Sequence, residues 1–518
     1  MADPFPITKQ LFEAGMQCAK RLYLEHHLIE NPAARTAHQE ELFALGRRLV
    51  ELASQAFPRG LDLADAEFDE AVRRTREFVD RGAPGVLFHA AFRGGGAEVR
   101  TDVLLLAGKG EMDVFEIKAG TSVKPRHLYD VAMQLHVIES CGYEVKSASL
   151  LHLDPRYVHD GTPDYPVQKL FKSVDVTTRA RNQLARVRDR IASFQPILED
   201  EGTLELPTGT WCKNPLPCSF LPRCTAEGPP APLVELPQLN PMQERRFHEA
   251  AIESIQQLDP AQPGLTAVQR RVVHAVDGER LIVEPFVPRE LHDVDWPLAF
   301  VHVSWHLDAL PRFARSRPWQ KAPFAWSSHR VEKSGRVYCR SFVSATAEDP
   351  RPPALRSLAE EIAEAGTLFV YGRGFDERLH VLLDDLGDLK SELRTLLNAP
   401  LLELGNLIFH GAYHPAIRND FGQPQVYDVL SGVLGSSDEE SIEGLADPRD
   451  LEIATEAQAE DAYRRILAKR TRSTTRDKLG QQIDAYVRHS SASLLRLYRL
   501  LAAVPPPGAG EADPTAQA

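Results

Sequence analysis

The sequence has no long hydrophobic run, since no segment approaches the ~18–20 consecutive apolar residues that cross a bilayer. Its first residues, MADPFPITKQLFEAG, lack the basic segment and following apolar segment of a signal peptide. We therefore expect no membrane association and no secretion, and we expect the protein to be cytoplasmic. The composition, 43% hydrophobic and 26% charged, is typical of a globular protein, and 518 residues suggest two or three domains.

An excess of positive charge is also absent. The net charge of −13 argues against a protein that coats nucleic acid nonspecifically, although an acidic body can still carry one local basic groove. Cysteine is scarce, and six residues in a reducing cytoplasm do not predict a disulfide framework. The glycine-rich segment RGGGAEV (93–99) lacks the lysine and hydroxyl residue of a P-loop, which excludes that motif.

Changes in composition divide the chain. A proline-rich stretch, CTAEGPPAPLVELPQLNP (224–241), reads as a linker. The predicted order is a first domain over 1–230, a helical linker over 231–285, a second α/β domain over 286–503 and a disordered tail over 504–518. The fold class is therefore α/β and multidomain.

The segment EVRTDVLLLAGKGEMDVFEIKAG (98–120) predicts a hairpin with strands over 99–106 and 112–118. A turn centred on Lys109 would place Asp102 opposite Glu116, and Lys118 would share the face of Glu116. Two neighbouring carboxylates favour a cation such as Mg²⁺ or Mn²⁺, and an adjacent lysine can orient or deprotonate a metal-bound water. The alternative is a surface hairpin with cross-strand ion pairs.

The residues after this hairpin predict an amphipathic helix and a further strand. The helix covers 126–143 and carries Tyr129 and Gln134 as candidate polar groups facing the sheet. The strand covers 144–154, so the order of elements is strand, strand, helix, strand.

Three of the cysteines follow a regular spacing. The segment WCKNPLPCSFLPRC places Cys212, Cys218 and Cys224 at C-x₅-C-x₅-C, and Cys18 offers a fourth thiol far upstream. Four thiolates can hold a [4Fe–4S] cluster or a zinc ion. Because zinc motifs usually contain a shorter C-x₂₋₄-C element, the long spacing favours the cluster, with a structural role.

These motifs together resemble the iron–sulfur PD-(D/E)XK nucleases, which include CRISPR-associated RecB-like exonucleases and the nuclease domain of the AddB recombination subunit. The resemblance covers about residues 5–228. It implies that Asp102 and Glu116 bind the metal, that Lys118 is the catalytic lysine and that Gln134 belongs to the helix motif. It also implies that the cluster ligands are Cys18, Cys212, Cys218 and Cys224. Many relatives have a histidine on an early helix, and the corresponding helix here, over 40–53, has none.

The layout of the whole chain is similar to that of bacterial proteins of unknown function in which such a module precedes an RNase-H-like DEDD exonuclease fold. Where that family has the acids of F-L-D-F-E-T, this chain has His302 and Ser304 in FVHVSW. The segments VYGRGFDERL (370–379) and LLELGNLIFHGAYHP (401–415) resemble later family segments, with Glu403 at an acid position. We therefore expect a degenerate, catalytically inactive domain, although Asp376, Glu377 and Glu403 could form another site.

The predicted function is a metal-dependent nuclease, by the family resemblance an exonuclease, that acts on DNA rather than RNA and contains a structural [4Fe–4S] cluster. The second domain would bind substrate or a protein partner. The alternative is a non-catalytic nucleic-acid-binding or assembly protein built from two exonuclease-like folds. The arginine-rich segment 177–194 reads either as a solvated helix face or as a phosphate-binding helix.

Overall fold

The computed structural model of the protein describes residues 5–27, 37–108, 111–199, 202, 204–435 and 451–505. The chain forms two compact units. The first contains residues 1–228 together with 308–320, and the second contains 229–307 and 321–518. Within the described residues, no helix is both long enough and apolar enough to span a membrane.

The first unit combines helices with a mixed sheet. Its strands are β1 (Leu61–Asp62), β2 (Gly85–Phe88), β3 (Ala91–Gly94), β4 (Ala97–Arg100), β5 (Val103–Gly108), β6 (Glu111–Lys118), β7 (Glu144–Leu153) and β8 (Phe171–Asp175). Its helices are α1 (Lys9–Gln17), α2 (Ala19–His27), α3 (Ala37–Ser54), α4 (Phe68–Asp80), α5 (Pro125–Ser140), α6 (Val167–Leu170), α7 (Thr177–Arg181), α8 (Leu184–Glu199) and α9 (Leu221–Glu227).

The main sheet of this unit has the strand order β1-β2-β5-β6-β7-β8. The strands β5 and β6 form an antiparallel hairpin, and α5 then crosses over to β7, which runs parallel to β6. The predicted order of strand, strand, helix and strand is therefore confirmed. Val103 pairs with Phe115, which is the register of a turn centred at 109; Lys109 itself lies outside the described residues.

The strand predicted over 99–106 is in fact two strands. Its first part, β4, pairs with β3 in a separate small sheet, and β5 begins only at Val103. The break lies at Asp102, whose carboxylate Oδ2 accepts a hydrogen bond from the backbone N–H of Ile117 at 2.6 Å. A side chain that takes a backbone donor in this way competes with regular ladder pairing, so the prediction of one continuous strand was wrong.

The two faces of the hairpin pack against different helices because side chains alternate along a strand. Leu104 and Val114 belong to the core that includes residues of α5 and α8. Val103 and the partly buried Phe115 belong to a second core with Leu49 of α3. Glu116 is two residues from Val114 and therefore shares its face of β6. Its carboxylate thus lies on the face that α5 covers.

The second unit also combines a sheet with helices. Its strands are β9 (Ile282–Val283), β10 (Leu298–Leu307), β11 (Lys321–Val331), β12 (Val337–Val343), β13 (Thr367–Val370), β14 (Leu401–Glu403) and β15 (Ala412–Tyr413). Its helices are α10 (Pro241–Glu249), α11 (Ala267–Asp277), α12 (Phe286–His292), α13 (Arg351–Ile362), α14 (Phe375–Asp385), α15 (Lys390–Asn398), α16 (Leu404–Gly411), α17 (Gln423–Leu434), α18 (Glu456–Leu467) and α19 (Ser473–Ala502).

The larger sheet of the second unit has the order β12-β11-β10-β13-β14. The strands β10, β11 and β12 are antiparallel neighbours, whereas β13 and β14 extend the other edge in parallel. One face packs against α19, where Phe300 and Phe369 share a core with Leu494. The opposite face packs against α13, where Val301 shares a core with Leu358. The coarse expectation of α/β architecture is confirmed.

The division into units differs from the predicted boundaries in two places. Residues 231–285, interpreted as a helical linker, contribute Leu233, Phe247 and Val272 to the core of the second unit. Residues 308–320, predicted inside the second domain, belong to the first unit, where the Trp319 indole donates to the carbonyl of Ala119 at 2.6 Å. Of the predicted tail, residues 506–518 lie outside the described residues.

A buried histidine in the second unit predicts sensitivity to acid. His329 of β11 has no exposed surface, and its Nδ1 lies 2.8 Å from Oγ of Ser491 on α19. Burial, reinforced by nearby arginines, lowers its pKa to about 4. An unfolded histidine titrates near pH ~6.5, so the unfolded chain binds this proton first and the free energy of unfolding falls as the pH drops below that value.

We expect this histidine to remove about 2 kcal/mol of stability between pH 7 and pH 5. The measurement is thermal unfolding at both pH values for wild type, His329→Gln and the control His380→Gln, whose side chain is exposed. The His329 variant should lose part of the pH dependence and the control should keep all of it. Equal pH dependence in all three proteins would contradict the prediction.

Candidate active site of the first unit

The hairpin and α5 bring the predicted site residues together. Asp102 lies just before β5, beside the strand that carries Glu116 and Lys118. The Gln134 amide nitrogen, on α5, donates to Oε2 of Glu116 at 2.8 Å. Glu116 and Gln134 are both buried. The amide oxygen of Gln134 is buried without a hydrogen-bond partner, which leaves one polar atom available to a ligand.

A third carboxylate of the site, the buried Asp130, was missed in the sequence. It lies on α5 one turn before Gln134, and Gln134 Nε2 is 3.5 Å from its Oδ1. The ammonium group of Lys118 binds both Oε1 of Glu116, at 2.6 Å, and Oδ2 of Asp130. The i, i+4 spacing of Asp130 and Gln134 was the signal that could have identified it, because such residues share a helix face.

A second lysine, Lys9, also enters the site. It is the first residue of α1, and its Nζ lies 2.7 Å from Oε1 of Glu116 and 2.7 Å from Oδ2 of Asp130. Glu13, one turn later on the same helix, has its pKa raised by burial and by Asp130. No local sequence pattern could have identified these residues, because they lie more than one hundred positions before Glu116.

Several carboxylates lie close together at this site, and burial and neighbouring charges shift the pKa values of its residues. Burial and the neighbouring Glu116 carboxylate raise the pKa of Asp102 to about 7. Burial alone would also raise the pKa of Asp130, but Lys118 and Lys9 outweigh it and hold that pKa well below its usual range. Burial would lower the pKa of each lysine, and the carboxylates reverse that shift. The cluster therefore favours bound cations.

Tyr129 does not lie with these residues. It is five positions from Gln134, about 140° around the helix, and its ring lies 5.3 Å from the guanidinium carbon of Arg186. The expectation that it faces the sheet beside Gln134 was wrong, because five residues is not a helical repeat.

Two arginines of the arginine-rich segment make contacts within the unit. Arg181 donates to the carbonyl of Val145 at 2.6 Å and pairs with Glu139 at 3.0 Å, and Arg186 lies over Tyr129. All five arginines of the segment are exposed, and the other three are Arg179, Arg188 and Arg190. The solvated-face interpretation describes part of this segment, and a phosphate-binding role stays a prediction for the exposed arginines.

The four predicted cluster cysteines lie near one another, since Cys18, Cys218 and Cys224 all act electrostatically on Cys212, although 194 residues separate Cys18 from Cys212 in the chain. Burial, together with the neighbouring thiols of Cys18, Cys218 and Cys224, raises the pKa of Cys212 to about 11. The backbone N–H of Gly209 points to the Cys212 sulfur at 3.4 Å.

Gln17 connects the two cysteine segments. Its amide nitrogen donates to the carbonyl of Trp211, just before Cys212, at 2.7 Å and to that of Leu216, within the loop between Cys212 and Cys218, at 2.8 Å. The thiol that follows it in sequence, Cys18, is thereby held beside that loop.

The residues at the two sites match the implied cofactors in their chemistry but not in their arrangement. The donor chemistry fits: four thiols lie near one another, and buried carboxylates lie beside an unpartnered amide oxygen at the other site. In the part of the chain that the structure describes, however, no group of three or more His, Cys, Asp or Glu side chains is arranged to hold a metal ion. At the carboxylate site, the two lysines occupy the oxygens that an ion would need.

In the second unit, the positions of the expected metal-binding acids form an internal hydrogen-bond network. Ser304 Oγ donates to Glu456 at 2.9 Å, and the backbone N–H of Trp305 donates to the same carboxylate at 3.1 Å. His302 Nε2 and the Tyr486 hydroxyl lie 3.3 and 3.2 Å from Glu456 Oε2. A cavity of about 620 Å³ is lined by His302, Trp305, Glu456 and Tyr486. Glu456, on α18, was not predicted from the sequence.

Three other acids of this unit share a separate cavity of about 650 Å³: Asp376, Glu377 and Glu403. Glu403 Oε1 accepts from the backbone N–H of Gly374 at 3.0 Å, which fixes the start of α14. Arg373 and His410 line the same cavity, so its charge is mixed.

Comparison with known proteins finds similarity to a protein family. A family model described as a domain of unknown function (DUF2779) matches residues 306–420. No curated protein and no solved structure matches the chain.

Proposed function

We propose that the first unit is a metal-dependent nuclease that hydrolyses phosphodiester bonds, preferentially in DNA, in the cytoplasm. The observation that carries the proposal is the convergence of Asp102, Glu116, Lys118 and Gln134 at one buried place where the hairpin meets α5. A surface hairpin with solvated ion pairs would leave these carboxylates exposed, whereas the Glu116 side chain is only 3% exposed. An antiparallel hairpin followed by a helical crossover to a parallel strand also supports a PD-(D/E)XK core.

In this proposal Asp102 and Glu116 would hold Mg²⁺ or Mn²⁺, through the oxygen ligands that both ions prefer. Such an ion, when bound, would supply a more acidic water and positive charge beside the phosphate. Gln134 fixes the orientation of the Glu116 carboxylate through its amide N–H. Lys118 places a positive charge beside Glu116, where it can orient the attacking water and stabilise negative charge on the phosphate.

We further propose that Cys18, Cys212, Cys218 and Cys224 hold a [4Fe–4S] cluster with a structural role. The convergence of the four thiols supports this assignment. An N–H group directed at a cysteine sulfur, as from Gly209, is one of the interactions that tune such clusters. The cluster would join α1 and α2 to the end of the unit.

The second unit would be a non-catalytic, RNase-H-like domain that binds substrate or a protein partner. Its sheet, with three antiparallel strands extended by two parallel ones, supports that fold. The Glu456 carboxylate is already occupied by hydrogen bonds from its own unit, so it is not free to share two metal ions. This favours binding over catalysis there.

The decisive test is cleavage of end-labelled single- and double-stranded DNA by anaerobically purified protein, with Mg²⁺, with Mn²⁺ and with EDTA. Wild type should cleave only with a metal, and Glu116→Gln should not cleave, because it loses the charge that binds the ion. The control Lys146→Gln changes an exposed ion pair with Glu111 and should cleave normally. DNA binding without metal-dependent cleavage would instead favour the non-catalytic, assembly-type alternative.

A further inference from the structure

The position of Lys9 is not explained by the proposed roles of the other site residues. Its ammonium group binds the same two oxygens as Lys118, namely Oε1 of Glu116 and Oδ2 of Asp130. Both carboxylate side chains are 3% exposed. Two ammonium groups therefore share one pair of buried oxygens, although a single lysine suffices for the proposed hydrolysis.

A helix fixed at both ends presents Lys9 to the site. Ile7 forms a backbone bridge to the β4 region, with its N–H 3.0 Å from the carbonyl of Gly96, and Thr8 caps the helix by accepting from the N–H of Leu11. At the other end, Gln17 donates to the loop between Cys212 and Cys218. Lys9 is thus held at the site by the fold and is not placed there by a loose terminus.

The two lysines differ in how easily they can leave. Lys118 lies in β6, two residues from Glu116, and 19% of its side chain is exposed. Lys9 approaches from a different element, and 37% of its side chain is exposed. Its long, flexible stem can rotate towards solvent while α1 stays in place. Of the two, Lys9 is the cation that an entering ion can displace.

We propose that Lys9 is a tethered cation that occupies the acidic site of the metal-free protein and competes with the divalent ion for Glu116 and Asp130. This inference rests on the proposed nuclease function and adds Asp130 to its acidic residues. Lys9 adds a second positive charge beside the buried carboxylates before metal binds, which stabilises the metal-free site beyond what Lys118 alone provides.

The test is calorimetric titration of metal-free, full-length protein with MnCl₂. Lys9→Gln keeps a hydrogen-bond donor but loses the charge, and it should bind Mn²⁺ at least about tenfold more tightly than wild type, or ~1.4 kcal/mol. Lys9→Arg retains the charge and should bind no more tightly than wild type. Lys146→Gln, which changes an exposed lysine of the same unit, should match wild type.

Thermal unfolding provides a second measurement that does not depend on cleavage. Without metal, Lys9→Gln should unfold at a lower temperature than wild type, and Mn²⁺ should raise its midpoint by more than it raises that of wild type. If the variant is unstable without metal, it can be purified with Mn²⁺ and the midpoint followed as EDTA removes the ion.

The outcomes separate this inference from the proposed function. If wild type binds Mn²⁺ and Lys9→Gln binds it equally or more weakly, competition by Lys9 is overturned and the metal-dependent nuclease stands. If neither protein binds Mn²⁺, both proposals are overturned.

Discussion

Replacing Lys118 with methionine should lower the rate of DNA cleavage by about 10²–10⁴-fold, the range expected when a group that aids proton transfer is removed. The Lys118 ammonium group lies 2.6 Å from Glu116 Oε1, so in the proposed mechanism it acts directly beside the reacting water. Methionine has a similar length and no charge. The loss should appear in kcat, because the carboxylates that would bind the metal are unchanged.

The variant should still fold, and the reason lies in Lys9. Removing one partner of a buried ion pair costs about 3–5 kcal/mol when the other charge is left alone. Here Lys9 remains within 2.7 Å of both Glu116 and Asp130, so neither carboxylate is left without a cation. We therefore expect the double variant Lys9→Met/Lys118→Met to be much less stable than either single variant.

The measurements are single-turnover cleavage with Mn²⁺ and thermal unfolding of the same preparations. Lys146→Met is the matched control, because it removes a lysine of the same unit whose side chain is 62% exposed. Cleavage by Lys118→Met at the wild-type rate would contradict the proposed role of this lysine. Loss of folding in the single variant would contradict the compensation by Lys9.

The parts of the site that the sequence predicted correctly depend on local geometry. Antiparallel pairing is symmetric about its turn, so a turn at 109 determined the register that brings Asp102 to Glu116. A period of two placed Lys118 on the same face, and the crossover after β6 brought Gln134 over it. Asp130 was not predicted, although it obeys the same helical period and lies one turn before Gln134.

The parts that were missed depend on tertiary contacts between distant segments. Lys9 meets Glu116 across 107 positions, and Trp319 meets Ala119 across 200. In the second unit, Glu456 meets Ser304 across 152 positions. The family resemblance predicted that His302 and Ser304 stand at acid positions, but nothing near them in the chain indicated the Glu456 carboxylate that they contact. Such contacts leave no periodic signal in a single sequence.

Replacing Cys218 with serine should remove the visible absorbance near ~400 nm expected of a [4Fe–4S] cluster and should strongly destabilise the first unit. Binding energy at a structural metal site is folding energy, because the unfolded chain has no formed site. Each kcal/mol lost should lower the unfolding midpoint by roughly 2–4 °C for a unit of this size. Cys218 is the right position because its thiol is one of the three that act on Cys212.

The control for this experiment is Cys141→Ser. Cys141 lies at the end of α5 and its thiol donates to the carbonyl of Arg93 at 3.3 Å, away from the four converging thiols. It should retain the iron content, the colour and nearly all of the stability. Iron and zinc are measured in each anaerobic preparation by elemental analysis. A colourless wild-type protein that contains zinc would contradict the iron–sulfur assignment but keep the thiol site.

The cysteine variant also tests how the two sites of the first unit are connected. The helix α1 carries Lys9 at its first residue and Gln17 at its last, and Cys18 follows directly. Nine helical residues span about 13 Å, so loss of the cluster should release the end of the helix that orients Lys9. We expect Cys218→Ser to lose DNA cleavage although every residue of the acidic site is intact. Full cleavage by a variant without iron would show that Gln17 and the bridge at Ile7 hold α1 in place by themselves.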